Sequence, residues 1–146
     1  MYELVLTAHS WLRWVALIAG VMAIVMAGAG PKRADRWGLI LVIALDLQLL
    51  LGFALYLVLS PTTKAIFGNF GAAMRDPAAR YWAVEHVSLM LFAVVMAHVG
   101  RVLARKATSP AAKRKRLLVC VVLSTIAMIA ATPWPGMASG RPLFRV

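Results

Sequence analysis

The sequence predicts an all-α membrane protein, a four-transmembrane-helix bundle with both termini outside, and three observations predict it. Its 146 residues are 62% hydrophobic and only 14% charged, far from the composition of a soluble domain. A transmembrane helix needs about 20 mainly apolar residues, and such runs stand at about 8–29, 38–59, 81–104 and 117–132. The basic residues, finally, are unevenly shared among the connections. Lys32, Arg33 and Arg36 fall in the first, and Arg101, Arg105, Lys106, Lys113, Arg114, Lys115 and Arg116 in the third. The second holds Lys64, Arg75 and Arg80, and the tail Arg141 and Arg145. Short basic loops mark the cytoplasmic side, so connections one and three are expected inside.

Four spans leave little chain for anything else, so residues 1–146 are expected to form one domain without a linker. The first run lacks a basic stretch before its apolar core and is as long as a full span, which makes it a first helix rather than a cleaved signal. The net charge of +11 sits in the loops. Its densest run, Lys113–Arg116, reads as an orientation signal that meets anionic lipid head groups, and no nucleic-acid partner is expected. The lone Cys120 excludes an intrachain disulfide and any CxxC-type metal or redox motif.

In the first helix, His9, Arg13, Ala16, Gly20, Ala23 and Ala27 recur on one stripe, a histidine heading a seam of small residues. Trp11 and Trp14 suit the interface. Arg13 needs a partner at its depth: either Glu85, in an ion pair, or an anionic group of a cofactor. The second helix carries Asp46 near mid-membrane, a costly depth for a carboxylate, with His98 as its plausible partner. Gln48, Gly52 and Tyr56 make a polar and small stripe suited to helix-to-helix hydrogen bonding. The connection from Ser60 to Arg80, anchored by Phe67, Phe70 and Met74, is an ordered loop or a lid over the outer mouth. Pro77 announces the third helix.

That third helix is the centre of the chain. It bears Glu85, His86 and His98, ionisable groups that lipid tolerates only with partners, and its own small seam of His86, Met90, Ala93, Ala97, Gly100 and Ala104. The seams of the first and third helices are expected to face each other. The fourth helix, polar only at Cys120, Ser124 and Thr125, is a wall of the bundle. Pro133 and Pro135 end it, Trp134 anchors at the interface, and the tail with Arg141 and Arg145 is free to cover the outer site or dock on another subunit.

Twelve residues separate His86 from His98, ~18 Å along a helix, so these two cannot share a metal. His86 instead matches His9 in depth. Histidines from two helices at one depth are the minimum for bis-histidine ligation of haem b, with Met90 as another axial candidate. This gives an outer site (His9, Arg13, Glu85, His86) and an inner pair (Asp46, His98). A copper or other metal site and a purely structural polar cluster are the alternatives. The haem reading carries one tension: a macrocycle separates its ligand helices, whereas small-residue seams draw helices together.

HSWLRW (His9–Trp14), DLQLLLGFALY (Asp46–Tyr56), AVEHVSLML (Ala83–Leu91) and TPWP (Thr132–Pro135) resemble a sparsely characterised group of small four-helix bacterial inner-membrane proteins. Some of them are labelled cytochrome b-like. The resemblance spans nearly the whole chain and implies haem-linked electron transport at His9 and His86. It departs from large respiratory cytochromes b, where paired histidines recur on two helices, so at most one haem is expected. The function expected is electron transfer between quinone, or a larger respiratory or photosynthetic complex, and an acceptor on the outer side. A non-catalytic accessory or scaffold subunit is the alternative. A transporter or proton path through Asp46 and His98 has little room in four helices without an internal repeat.

Overall fold

The computed structural model describes residues 1–144; Arg145, one of the two tail cations, lies outside the described residues. Helix α1 runs over Tyr2–Met26. A short turn follows, in which Gly30 takes φ 123°, a backbone region open to glycine. Pro31 then opens α2 (Pro31–Ala54), which continues through one wide π turn, Leu55–Leu59.

Three short helices follow: α3 (Pro61–Gly68), α4 (Phe70–Ala73) and α5 (Pro77–Arg80). A second π turn, Tyr81–Glu85, joins α5 to α6 (His86–Arg105), and α7 spans Pro110–Ala130. The starts are written locally. Ser60, Asn69, Asp76 and Ser109 each accept a backbone N–H of the turn they begin. A proline stands at the start of α2, α3, α5 and α7, where its missing N–H costs nothing.

Three helical stretches, Tyr2–Met26, Pro31–Leu59 and Pro77–Arg105, are long and apolar enough to cross a membrane. All three begin before the apolar runs do, at 2, 31 and 77 rather than 8, 38 and 81, because caps set a helix start while hydropathy registers only its apolar portion. For the same reason Arg101 and Arg105 lie inside α6 and Lys113–Arg116 inside α7. Arg101 is pinned across to α2, its Nη1 donating to the Asp35 carbonyl at 2.7 Å.

The long helices form a ring in the order α1, α2, α6, α7, each packed on the next and α7 closing on α1. Thus α1 and α6 face each other along a diagonal. The turns before Pro31 and Pro110 lie at one end, the basic end; α3–α5, the start of α1 and the described part of the tail, up to Phe144, lie at the other, the terminal end.

Toward the basic end the core is built from small residues. A Cβ on Gly20 would sit 2.5 Å from Thr125 Oγ1, and one on Gly100 would sit 2.6 Å from Cys120 Cβ. The two seams therefore do not face each other, as the sequence led one to expect; both pack on α7. The reason lies in the ring order, which puts α7 between them. Its short polar side chains allow the approach because their hydroxyls are satisfied. Ser124 donates to the Ala93 carbonyl across the interface and Thr125 to its own helix at Val121.

Candidate functional site

Above the seams the bundle opens. The side chains at the terminal end are larger, and a cleft of ≈ 140 Å³ lies between the long helices, lined among others by His9, Arg13, Gln48, Gly52, His86 and Met90. The tension between close-packed seams and a ligand between helices is thus separated by depth. Ala16 and Ala93, which begin the tight half, lie about two turns below His9 and His86.

His86 stands at the first turn of α6, immediately after the π turn, a feature frequent at functional sites. Its Nδ1 is 2.7 Å from the Ala131 carbonyl at the end of α7. A carbonyl only accepts, so Nδ1 carries the proton and Nε2 keeps the lone pair. The hydroxyl of Tyr81 donates to the same carbonyl. One helix-end acceptor, lacking an intrahelical donor by position, therefore orients two side chains of the turn. Tyr56 ties the other π turn to it, donating to the Ala83 carbonyl at 2.6 Å.

His9 comes from the opposite corner. Its backbone carbonyl accepts from Gln48 Nε2 at 3.0 Å, and its ring rests against α2 where Gly52 leaves room. A Cβ there would be 3.3 Å from His9 Cε1. So Gln48, Gly52 and Tyr56 do join helices, as their spacing implied, and they do so at the cleft. Two buried polar atoms here, His9 Nδ1 and Gln48 Oε1, have no hydrogen-bond partner among the described residues.

The imidazole rings of His9 and His86 lie 6.4 Å apart, centre to centre, with 65° between their planes. Two metal–nitrogen bonds of about 2.1 Å and roughly 1.1 Å from each nitrogen to its ring centre would separate the rings of a linear bis-imidazole unit by about 6.4 Å. Ring spacing and the Nδ1–H bond of His86, which is how metal-ligating imidazoles are held, fit that unit. Among the described residues no three His, Cys, Asp or Glu side chains converge. His9 and His86 are therefore the two imidazoles available at the cleft, fewer donors than a protein-held metal ion ordinarily takes. Volume is the poorer fit. A space of ≈ 140 Å³ is below the ~300–1,000 Å³ of ordinary ligand sites, so a macrocycle requires the terminal half of the bundle to spread.

The tail closes one side. Arg13 Nη2 and Trp14 Nε1 both donate to the Leu143 carbonyl, at 2.7 and 3.2 Å. Phe144 stacks on Trp14 and leans on Trp11, with ring centres 5.4 and 5.7 Å apart. Arg141 lies over the Trp82 ring and, with Pro142, lines the cleft. Of the two uses expected for the tail, covering the site is the one observed.

Glu85 is not brought to the cleft with the other three residues of the outer set. It pairs with Arg80 at 2.7 Å, both side chains nearly half exposed. Adjacent residues on a helix point about 100° apart, and Arg80 is the nearer cation. Asp46 and His98 are brought together, Oδ1 to Nε2 at 3.5 Å, on the outside of the bundle. His98 is fixed by Nδ1 donating to Val94 of its own helix at 3.0 Å. Met90 lines the cleft without displacing His9 as the group opposite His86.

Trp82 and the Ala131 carbonyl were not identified as site components from the sequence, whereas the tail with Arg141 was expected either to cover the site or to dock on another subunit. A backbone acceptor has no residue signature, and a tail cation becomes relevant only once the tail folds back. The chain matches no family model, no curated protein and no solved structure.

Proposed function

We propose that this chain is a multi-pass protein of the bacterial inner membrane that holds one haem b between His9 and His86 and takes part in electron transfer. The observation that carries the proposal is the diagonal pair of imidazoles, 6.4 Å apart, with one ring already oriented through Nδ1. A bound haem would supply a one-electron couple. The chain's own groups would then do the rest. His86 is held in place by the Ala131 carbonyl, which accepts from its Nδ1. Gly52 gives the His9 ring its place, and Arg13 and Arg141 put positive charge beside the cleft for a cofactor's carboxylates. Trp82 and the tail exclude water from one side. The redox partner proposed is quinone or a larger respiratory or photosynthetic complex, in line with the cytochrome b-like group the sequence resembles.

In this reading α7 is the fourth span. Its apolar part from Leu117 to Ala131 covers about 22 Å at ~1.5 Å per residue, short of the ~30 Å hydrocarbon core. Lys113–Arg116 make up the difference by reaching back to the head groups. The cationic turns face the cytoplasm and the terminal end, with the cleft, faces outside.

The small volume of the cleft favours a second reading, a non-catalytic accessory subunit whose polar residues join helices. A reduced-minus-oxidised spectrum with a pyridine haemochrome assay on protein purified from its native membrane separates the two. About one haem b per chain, lost in His9→Ala and His86→Ala and retained in His98→Ala, is the expected result. A folded, haem-free wild type would refute the electron-carrier reading. Loss in His98→Ala with retention in His9→Ala would move the site.

A further inference from the structure

Asp46 and His98 have no place in the cleft, and the side of the bundle they occupy is unusual. Their side chains are 48% and 46% exposed. Around them α2 presents Leu39, Ile43 and Leu50 outward, and α6 presents Leu91, Val95 and Val102, all exposed apolar groups. A carboxylate and an imidazole thus lie in the middle of an apolar face made by two helices long enough to cross a bilayer. Ionisable groups within spans almost always face a bundle interior or a partner rather than lipid.

The pair does not satisfy itself. His98 already uses Nδ1 on Val94, and its Nε2 stands 3.5 Å from Asp46 Oδ1, beyond a good hydrogen bond. A carboxylate can accept at about four lone-pair sites, and this contact fills at most one. Both groups have capacity left, directed outward.

We propose that this α2–α6 face is the interface of a homodimer, with Asp46 and His98 of one protomer meeting His98 and Asp46 of its partner across a two-fold axis. Symmetry and topology select a second copy over any other occupant. All copies of a chain inserted in one orientation share one direction across the bilayer, so their two-fold axis lies along the membrane normal and equal depths meet. An acid and a base side by side at one depth are then complementary to themselves, each carboxylate falling opposite an imidazole. The flanking leucines, isoleucine and valines pack around this cluster as an apolar rim. The inference depends on the helices crossing a bilayer and is independent of what the cleft binds.

The test uses full-length protein in lipid nanodiscs or dilute proteoliposomes. Cys120, the sole cysteine, is buried against α6, so a single new thiol reports position. Val95→Cys, on the face, and Ile18→Cys, on the exposed side of α1, are treated with a short bis-maleimide. Val95→Cys is expected to give a dimer of twice the chain mass and Ile18→Cys to remain monomeric. In the Val95→Cys background, Asp46→Leu with His98→Leu leaves an apolar surface that lipid accepts. It should raise the dimer dissociation constant ~10- to 100-fold, the range for a few interhelical hydrogen bonds in bilayers. Equal cross-linking at both positions, or a double-leucine variant that dimerises as tightly as its parent, would overturn the proposal. So would single-step photobleaching of the wild type in dilute proteoliposomes, which would leave a different protein as occupant. Carbonate extraction of the same membranes reports insertion separately, so failure of the bilayer placement is distinguished from failure of the dimer.

Discussion

Gly100→Ala is the sharpest available test of the close α6–α7 packing on which the open cleft depends. The added carbon would lie 2.6 Å from Cys120 Cβ, where two carbons at rest sit about 3.5–4.0 Å apart. Neither atom belongs to a side-chain end that can rotate away, so the two helices must separate by about 1 Å. Overpacking of this kind costs ~1–3 kcal/mol, and the better helix propensity of alanine returns ~1 kcal/mol. The net expectation is destabilisation by about 0–2 kcal/mol, in which the clash and the propensity gain are mixed. The cycle with Cys120→Gly removes that ambiguity, since deleting the opposing carbon abolishes the clash while propensity terms cancel. A coupling energy of ~1–3 kcal/mol is expected from reversible unfolding in micelles, followed by steric trapping or denaturant titration. Zero coupling, or Gly100→Ala more stable than wild type by the full propensity gain, would refute the packing argument.

Gly52→Leu places a side chain where the His9 ring rests; under the haem proposal, haem content should fall several-fold with helicity unchanged, measured by haemochrome and circular dichroism on the same sample. Tyr56→Phe removes the hydroxyl that holds Ala83 and should cost ~0.5–1.5 kcal/mol of unfolding free energy. Glu85→Gln breaks only a half-exposed pair with Arg80; a change within ~1 kcal/mol and an unchanged spectrum are expected, and loss of cofactor would return Glu85 to the site. Phe144→Ala frees the face of Trp14; a red-shifted tryptophan emission and faster proteolysis of the tail would report its release.

Much of the fold was legible locally. Ser60, Asp76 and Ser109 before prolines mark helix starts, because a capping oxygen and a missing N–H act within one turn. Apolar length identified four runs, of which the first three fall in helices long and apolar enough to span a membrane, since bilayer thickness is a constraint on sequence itself. The Asp46–His98 pairing also followed from depth. What the linear chain could not specify was rotation and order around the ring. The small-residue seams were visible, yet α7 receives both because of how four helices are arranged in section, a long-range property absent from any single stripe. Glu85 and His86 are adjacent in sequence and already point about 100° apart on a helix; the packing of α7 and the position of Arg80 decide that one meets Arg80 at the surface and the other meets Ala131 in the core. The tail's return over Trp14 and Trp82 depends on surfaces that exist only after the helices have packed. The sequence by itself thus determined the lengths, starts and apolar faces of the helices, which are set by short-range backbone chemistry and by solvent. Tertiary structure alone decided which histidine faces which, because the 6.4 Å between His9 and His86 is fixed by packing between helices that are remote in the chain.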